Sequence, residues 1–360
     1  MVGILEGLPS GLAVSVGQLS EQLRRRRLGF GRSARQNVEE DAVEVLGGLR
    51  GGRTLGSPVA LVLPNQGRLD EAGLQPVSAP RPGHAELVGS IKHPGVELRD
   101  VMERASARET AMRVAVGTFC RRLLEELGVR LASRVLRVGE AADVSPLRIP
   151  VERVNALADR SPVRCLDPRS GRGMVRAIEK ASRAGDTLGG VFEVLASRPP
   201  AGLGSYAHWD RRLDGRIAAA FMALNAVKGV EIGLGFEAAS RLGREVHDEY
   251  FRGAGYRGVA YRSNRSGGID GGMTTGETVV VRAAMKPLPT LGKPLRSVDL
   301  RTGRAAKAHV ARADVCAVPA AAVIGESLLA VELAQAALEK FGGDSVAELK
   351  ERVERWRRQG

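Results

Sequence analysis

Short apolar runs that stop at proline or glycine alternate along this chain with stretches whose apolar residues recur every three or four positions. The short runs predict strands and the longer stretches amphipathic helices. Residues 2–8 form the first apolar run and end at Pro9-Ser10-Gly11, a strand followed by a turn. Residues 20–27 read as a helix capped by Ser20, and residues 42–46 and 57–63 as two further strands. Residues 64–83, rich in proline and glycine, predict a long loop of the kind that often carries function.

Ser106-Ala107-Arg108-Glu109 has the spacing of a capping box, in which serine and glutamate side chains satisfy free backbone amides. The helix expected there runs to about Leu127, with Ala111, Val114, Ala115, Phe119 and Leu123 on one face. Beyond it the pattern predicts a strand at 128–140, irregular chain at 141–168, a helix at 170–185 and a strand at 188–197. Residues 323–341 read as another helix, and 342–360 as a charged tail forming a peripheral helix. The organisation expected is one domain over residues 1–345 with the charged tail 346–360 attached.

The second half partly repeats the first. Gly3-Ile4-Leu5-Glu6 with Pro9-Ser10-Gly11-Leu12 resembles Gly190-Val191-Phe192-Glu193 with Pro200-Ala201-Gly202-Leu203. Ala42-Val43-Glu44-Val45 matches Gly229-Val230-Glu231-Ile232, and Thr54-Leu55-Gly56 matches Thr274-Thr275-Gly276, in the same order. Two related strand–helix–strand halves, burying their sheets as one unit, are the expected arrangement.

Composition narrows the function. With 43% hydrophobic residues the 360-residue chain fills a core, which excludes a largely disordered protein. No charge-free apolar run reaches the roughly 18 residues of a transmembrane helix, and Met1–Glu6 lacks the basic start of a signal peptide. Three scattered cysteines give neither a disulfide framework nor a zinc signature, so the chain reads as a reduced, cytoplasmic protein. A net charge of +13 points to an anionic partner. Aromatic residues are few and none interleaves with a basic run, which argues against nucleic acid.

Four clusters carry candidate chemistry. Arg24–Arg27 followed by Gly29-Phe30-Gly31-Arg32-Ser33-Ala34-Arg35 is either a solvated helix end or an anion-gripping loop, since arginine's rigid fork matches phosphate and carboxylate. In Arg81-Pro82-Gly83-His84-Ala85-Glu86 a histidine sits in a turn after an arginine. It is either structural or a general acid beside an anion, where a pKa near 6.5 suits proton transfer. Arg104 and Arg108 flank the expected helix start at Ser106, which is an ordinary cap or an anion site. Gly267–Gly276 holds five glycines and leads to Lys286-Pro287. It has neither a Walker ending nor Gly-x-Gly-x-x-Gly spacing. No Ser-His-Asp order and no metal-ligand spacing stands out. Together the clusters fit a small, multiply anionic molecule with a phosphorylated cofactor.

These residues resemble the chorismate synthase family. The resemblance lies in Arg-Arg-Arg-Leu-Gly-Phe-Gly-Arg at 25–32, Arg-Pro-Gly-His-Ala at 81–85 and Glu-Arg-Ala-Ser-Ala-Arg-Glu-Thr-Ala at 103–111. It continues through Gly-Asp-Thr-Leu-Gly-Gly-Val at 185–191, Asn-Ala-Val-Lys-Gly-Val-Glu-Ile-Gly at 225–233 and Gly-Gly-Ile-Asp-Gly-Gly-Met at 267–273. Met-Lys-Pro at 285–287 and Arg-Ala-Asp-Val-Cys-Ala-Val-Pro at 312–319 complete it, so that it covers residues 2 to 345.

The resemblance implies an α+β fold, a β-α-β sandwich with an internal pseudo-repeat, assembled as a homotetramer without nucleic acid or membrane. It implies conversion of 5-enolpyruvylshikimate 3-phosphate to chorismate, a 1,4-elimination of phosphate in the shikimate pathway that needs reduced FMN. Arg32, Arg35, Arg81, Arg108 and Arg312 would then hold the substrate's phosphate and carboxylates, His84 would be the general acid, and Asp314 would take up the proton. FMN would lie against Arg104, Ala105, Ser106, Asn225, Ala226, Gly271, Lys286, Pro287, Leu288, Pro289, Thr290 and Arg312. Arg26 and Arg32 match positions that take NADPH, the flavin reductant of bifunctional members.

The chain departs from the family pattern in several places. The family's N-terminal Gly-Glu-Ser-His-Gly strand has no counterpart in the given sequence, and residues 64–80 are shorter than usual. Glu86 replaces an aspartate, Leu234 another, and His93 a tyrosine. An alternative on the same residues is a catalytically impaired paralogue that binds flavin or subunits in a regulatory or assembly role.

Overall fold

Ser15, five residues ahead of the expected cap, starts the first helix. Its Oγ accepts from Gln18 N–H at 3.2 Å while Gln18 Oε1 accepts from Ser15 N–H at 2.9 Å, a complete capping box. Such local chemistry sets the elements in a computed structural model that describes residues 1–33, 41–64, 76–310 and 314–359. The first half contains β1 (Val2–Leu5), α1 (Val16–Arg27), β2 (Glu44–Gly47), the hairpin β3 (Leu49–Arg50) and β4 (Arg53–Thr54), and β5 (Val59–Val62). Short helices α2 (Glu86–Lys92) and α3 (Leu98–Arg104) lead into the long α4 (Thr110–Glu126).

The second half opens with β6 (Leu131–Val138), β7 (Ala141–Ala142), α5 (Val151–Ala158) and α6 (Pro168–Ala184). It continues with β8 (Gly190–Ala196), α7 (Leu213–Met222), β9 (Val227–Ile232), α8 (Gly243–Val246), β10 (Tyr250–Arg252) and β11 (Val259–Tyr261). Hairpin β12 (Ile269–Asp270) and β13 (Met273–Thr274) precede β14 (Val279–Met285), β15 (Arg296–Val298) and β16 (Ala305–Lys307). Helices α9 (Val318–Phe341) and α10 (Val346–Arg358) close the chain.

Two antiparallel sheets enclose a layer of helices. One has the order β1-β5-β2 and the other β7-β6-β8-β14-β9, so β1-β5-β2 repeats the pattern of β8-β14-β9. Helix α9 runs through the middle, packed on α1, α4, α7, β6 and β8. It is long and apolar enough to cross a membrane, but its buried residues from Val318 to Ala337 make it the core of this fold. Phe192, Val194, Val279, Val281, Leu329 and Leu333 are fully buried there. Helices α4 and α9 cross so closely at Gly117 that an added Cβ would lie 2.4 Å from the Ser327 Cβ. The expected α+β class and β-α-β sandwich are therefore observed.

Three local readings change. Ser106 Oγ accepts from Arg108 N–H at 3.3 Å and Glu109 pairs with Arg113, so residues 107–109 form one 3-10 turn rather than a capping box. The stretch expected to be irregular contains α5, whose Val151 and Val154 pack on Leu195 at the outer face of the larger sheet. Helix α9 starts earlier than expected, because Pro319 sits in its first turn, where no intrahelical N–H is needed. The tail helix α10 docks through buried Val346, Leu349 and Val353, with Trp356 Nε1 donating to Ala201 O at 3.1 Å.

Candidate active site

The arginine run that ends α1 divides between surface and interior. Arg24 pairs with Glu21 in solvent, whereas Arg25 and Arg26 are buried. Arg26 Nε donates to Thr110 Oγ1 at 3.1 Å and Nη2 donates to Ala107 O at 3.2 Å. Its Nη1 lies 3.5 Å from Asp41 Oδ2, and Arg108 Nη1 donates to Asp41 Oδ1 at 2.6 Å. The glycine loop after α1 then turns back, with Val315 N–H donating to Gly31 O at 2.7 Å. Gly31 has φ +89°, and a Cβ there would meet Ile178 at 2.8 Å, so only glycine fits. That turn brings Arg32 Nη1 to 3.0 Å from Asp314 Oδ2, while Ser33 N–H donates to Asp314 Oδ1 at 2.7 Å.

Three arginines thus share two aspartates. Burial, together with the charges of Arg32 and Arg108, lowers the Arg26 guanidinium to about 10, with Asp41 and Asp314 opposing the shift. Crowded, desolvated cations are stabilised by an arriving anion.

The turn after Pro80 supplies the histidine. Arg81 is turned inward: its Nε donates to Glu86 Oε1 at 2.8 Å, its backbone N–H to Glu86 Oε2 at 2.6 Å, and its Nη1 to Thr290 Oγ1. The resemblance assigns Arg81 to a substrate anion, yet its guanidinium is engaged by fully buried Glu86. His84 lies beside this pair, Nε2 at 3.4 Å from Arg81 Nη2 and Nδ1 at 3.5 Å from Glu86 Oε1. Burial, Arg81 and Lys286 hold the imidazole below its usual pKa, and Glu86 opposes them.

Backbone turns connect the two groups. Asn225 Nδ2 donates to Ala105 O at 3.2 Å, Lys286 N–H donates to Ala226 O at 2.9 Å, and Lys286 Nζ donates to Gly83 O at 2.6 Å. Ala226 holds φ +67°, uncommon for a residue with a side chain. Pro287, Leu288 and Pro289 line a cavity of about 490 Å³ with Pro82, Gly83 and Lys293. Buried polar atoms without a hydrogen bond among the described residues include Arg26 Nη1, Arg32 Nε, His84 Nδ1 and Asn225 Oδ1. These four come from separate stretches of chain, and others lie away from the site, at Arg122, Arg164 and Arg216.

Of the sequence-derived residues, Arg26, Arg32, Arg108 and Asp314 fall in one charged group, and Arg81, His84, Lys286 and Thr290 in a second. Arg104, exposed at the end of α3, and Ser106 border the first. Gly271 is apart, at the tip of the β12–β13 hairpin, where the neighbouring Gly272 O accepts from Leu213 N–H at 2.9 Å. Arg35 and Arg312 lie outside the described residues. Asp41 is not legible in the sequence, since it belongs to no motif and is brought in only by the fold. Thr110 and Glu86 lay inside recognised stretches without an assigned role.

The profile of the chorismate synthase family matches residues 1–338. A chorismate synthase of Desulforudis audaxviator (strain MP104C) is 52% identical over 367 residues, covering 99% of this chain and 94% of that protein. One from Geobacillus kaustophilus (strain HTA426) is 46% identical over 371 residues, covering 99% and 95%. A crystal structure of chorismate synthase superposes with a TM-score of 0.81 at 41% identity, covering 99% of this chain and 93% of that one.

Proposed function

This chain belongs to the chorismate synthase family, and from that premise we propose that the clustered arginines, His84 and Asp314 form its catalytic centre. The reaction is the lyase step of the shikimate pathway, which eliminates phosphate from 5-enolpyruvylshikimate 3-phosphate on the way to the aromatic amino acids. The substrate carries a phosphate and two carboxylates. The observation that carries the reading is the grouping of three guanidinium groups, buried Arg26 with Arg32 and Arg108, around Asp41 and Asp314.

Arg32 and Arg108 would bind substrate anions with geometry already fixed by the two aspartates, so little ordering is required on binding. Arg35 and Arg312 join them by the family pattern. Arg81 would act mainly through its neighbours, holding Thr290 and setting the side of His84 that faces the phosphate. His84 would donate a proton to the departing phosphate oxygen. In the free protein burial, with Arg81 and Lys286, biases it to the neutral form, and an arriving phosphate dianion offsets those two cations and favours protonation. Asp314, oriented by Ser33 N–H and Arg32, would receive the ring proton.

The residues fit a flavin. Asn225 Oδ1 and Arg26 Nη1 are buried without hydrogen bonds, and the Ala105–Asn225 and Ala226–Lys286 bonds join the stretches that would cradle it. Arg104 to Ser106, Asn225, Ala226, Lys286 to Thr290 and Arg312 would hold FMN; Gly271, which the family pattern adds, lies apart on its hairpin. Reduced FMN supplies electron density to the reacting ring without net redox change. Arg26 and Arg32 are also the residues that would meet NADPH as reductant. A cytoplasmic homotetramer is the assembly that goes with this reading. Anaerobic incubation of the purified chain with substrate and photoreduced FMN tests it: chorismate and inorganic phosphate should appear in equal amounts, and a chain that binds both ligands but releases neither product is not this enzyme.

A further inference from the structure

Beneath the site, on the inner side of the same helix end, lies a second set of charges. Glu326 of α9 is fully buried and accepts from Arg25 Nη1 at 2.9 Å and Nη2 at 3.0 Å. It also pairs with Arg121 and, at 3.4 Å, with Arg164. Asp159, just past α5, receives Arg25 Nε at 2.8 Å and pairs with Arg164 as well. Arg25 and Arg164 thus form a closed hub with Glu326 and Asp159, separate from the aspartates of the site.

Replacing a buried ionic network by apolar side chains is often neutral or stabilising, so stability alone does not account for such a hub. What a hub supplies is fixed direction. Arg164 holds φ +57° while almost fully buried, a conformation that persists in a non-glycine residue only when its surroundings over-determine it. Two connections lead from the hub to loop 28–33. Leu28 N–H donates to Arg25 O at 3.2 Å where α1 ends, and Phe30 N–H donates to Pro162 O at 2.6 Å, two residues before Arg164. The loop between these anchors and Val315 carries Arg32 to Asp314.

We propose that Glu326 and Asp159, by fixing Arg25 and Arg164, are positioning residues that determine where loop 28–33 presents Arg32 to the anionic substrate. This rests on the reading of Arg32 as a substrate-binding residue of the chorismate-forming centre. Arg121 touches the same Glu326 but anchors on Leu131 O instead of the loop, which makes it the internal control.

The test compares Arg25→Lys with Arg121→Lys, each keeping its charge and losing the guanidinium fork. The expected result is at least a tenfold fall in kcat/KM and a tenfold weaker Kd for inorganic phosphate in Arg25→Lys. Arg121→Lys should stay within threefold on both, even if the two lose the same Tm. In an Arg32→Lys background the Arg25→Lys change should cost less than threefold, because residues acting through one another are not additive. Asp159→Asn, whose side chain is partly exposed, gives the same tenfold and the same non-additivity if Arg25→Lys does not fold. Parallel losses in the two lysine variants, or additive losses with Arg32→Lys, overturn the proposal. Wild-type protein that binds phosphate but makes no chorismate refutes the activity, while the Kd ratios still decide the hub.

Discussion

Thr54 and Thr274 make the same four hydrogen bonds in the two halves of the chain. Thr54 Oγ1 donates to Pro9 O at 2.6 Å and accepts from Leu12 N–H at 2.9 Å. Thr274 Oγ1 donates to Pro200 O at 2.6 Å and accepts from Leu203 N–H at 2.9 Å. Their backbones repeat the match: Gly11 N–H and Gly202 N–H donate to the threonine carbonyls, and the threonine N–H groups donate to Leu12 O and Leu203 O. Each buried hydroxyl locks the Pro-x-Gly-Leu turn that follows β1 or β8 onto a hairpin, β3–β4 or β12–β13. The partial sequence repeat is therefore a repeat of hydrogen-bond chemistry.

Thr54→Val and Thr274→Val keep the side-chain shape and remove the hydroxyl. Each leaves a buried Leu N–H and a proline carbonyl without a partner, at a cost of about 1–3 kcal/mol. Urea unfolding should give losses that agree within roughly 1 kcal/mol. A loss in one half only would mean that the two turns are not energetically equivalent.

Gly117→Ala addresses the crossing of α4 and α9. The new methyl would overlap Ser327, and overpacking of this kind costs about 1–3 kcal/mol, although alanine is the better helix former by about 1 kcal/mol. A lower denaturation midpoint is expected. An unchanged or raised midpoint would show that the helices separate easily.

His84 predicts a pH dependence with a definite sign. Burial, Arg81 and Lys286 place its pKa below the ordinary value, and a general acid works only when protonated. For free protein and substrate, kcat/KM should therefore fall as pH rises through a limb below about 6.5. The corresponding limb in kcat should lie at higher pH, because bound phosphate offsets the two cations. His84→Asn should lose about 10²–10⁴ in rate and abolish both limbs. Limbs that persist in this variant would assign them to another group.

Asp314→Asn releases Arg32 from its ion pair and weakens the acceptor for Ser33 N–H. If the carboxylate takes up the ring proton, kcat should drop by about 10²–10⁴ while phosphate affinity holds or rises, since one carboxylate that competes for Arg32 is gone. Loss of affinity with unchanged kcat would make Asp314 a purely structural partner.

How far the sequence revealed this depended on the range of each interaction. Helix α4, the strands at 59–62 and 190–196, and the repeat were legible because their apolar spacing and turn residues are local. Helix α1 starts at Ser15 and not at Ser20 because Gln18 completes the capping box with Ser15, a pairing that the apolar spacing does not reveal. Helix α5 was missed because it is short and its apolar face is matched by Leu195, far along the chain. At the site, the arginine run, the histidine turn and the Asp314 stretch were visible as motifs. Asp41 and the inward engagement of Arg81 were not, since both arise from contacts across the fold. The division of Arg24 from Arg25 and Arg26 was equally hidden, because a run of identical residues does not say which of them points inward.

The most direct test of the site is calorimetric titration with 5-enolpyruvylshikimate 3-phosphate, comparing the wild type with Arg32→Met and with Arg241→Met. Arg241 pairs only with Glu237 in solvent among the described residues. Losing a charge-assisted hydrogen-bond partner costs about 1.5–3 kcal/mol, so Arg32→Met should bind at least tenfold more weakly and Arg241→Met should match the wild type. If Arg32→Met binds as tightly as the wild type, the arginine cluster is not where the substrate sits.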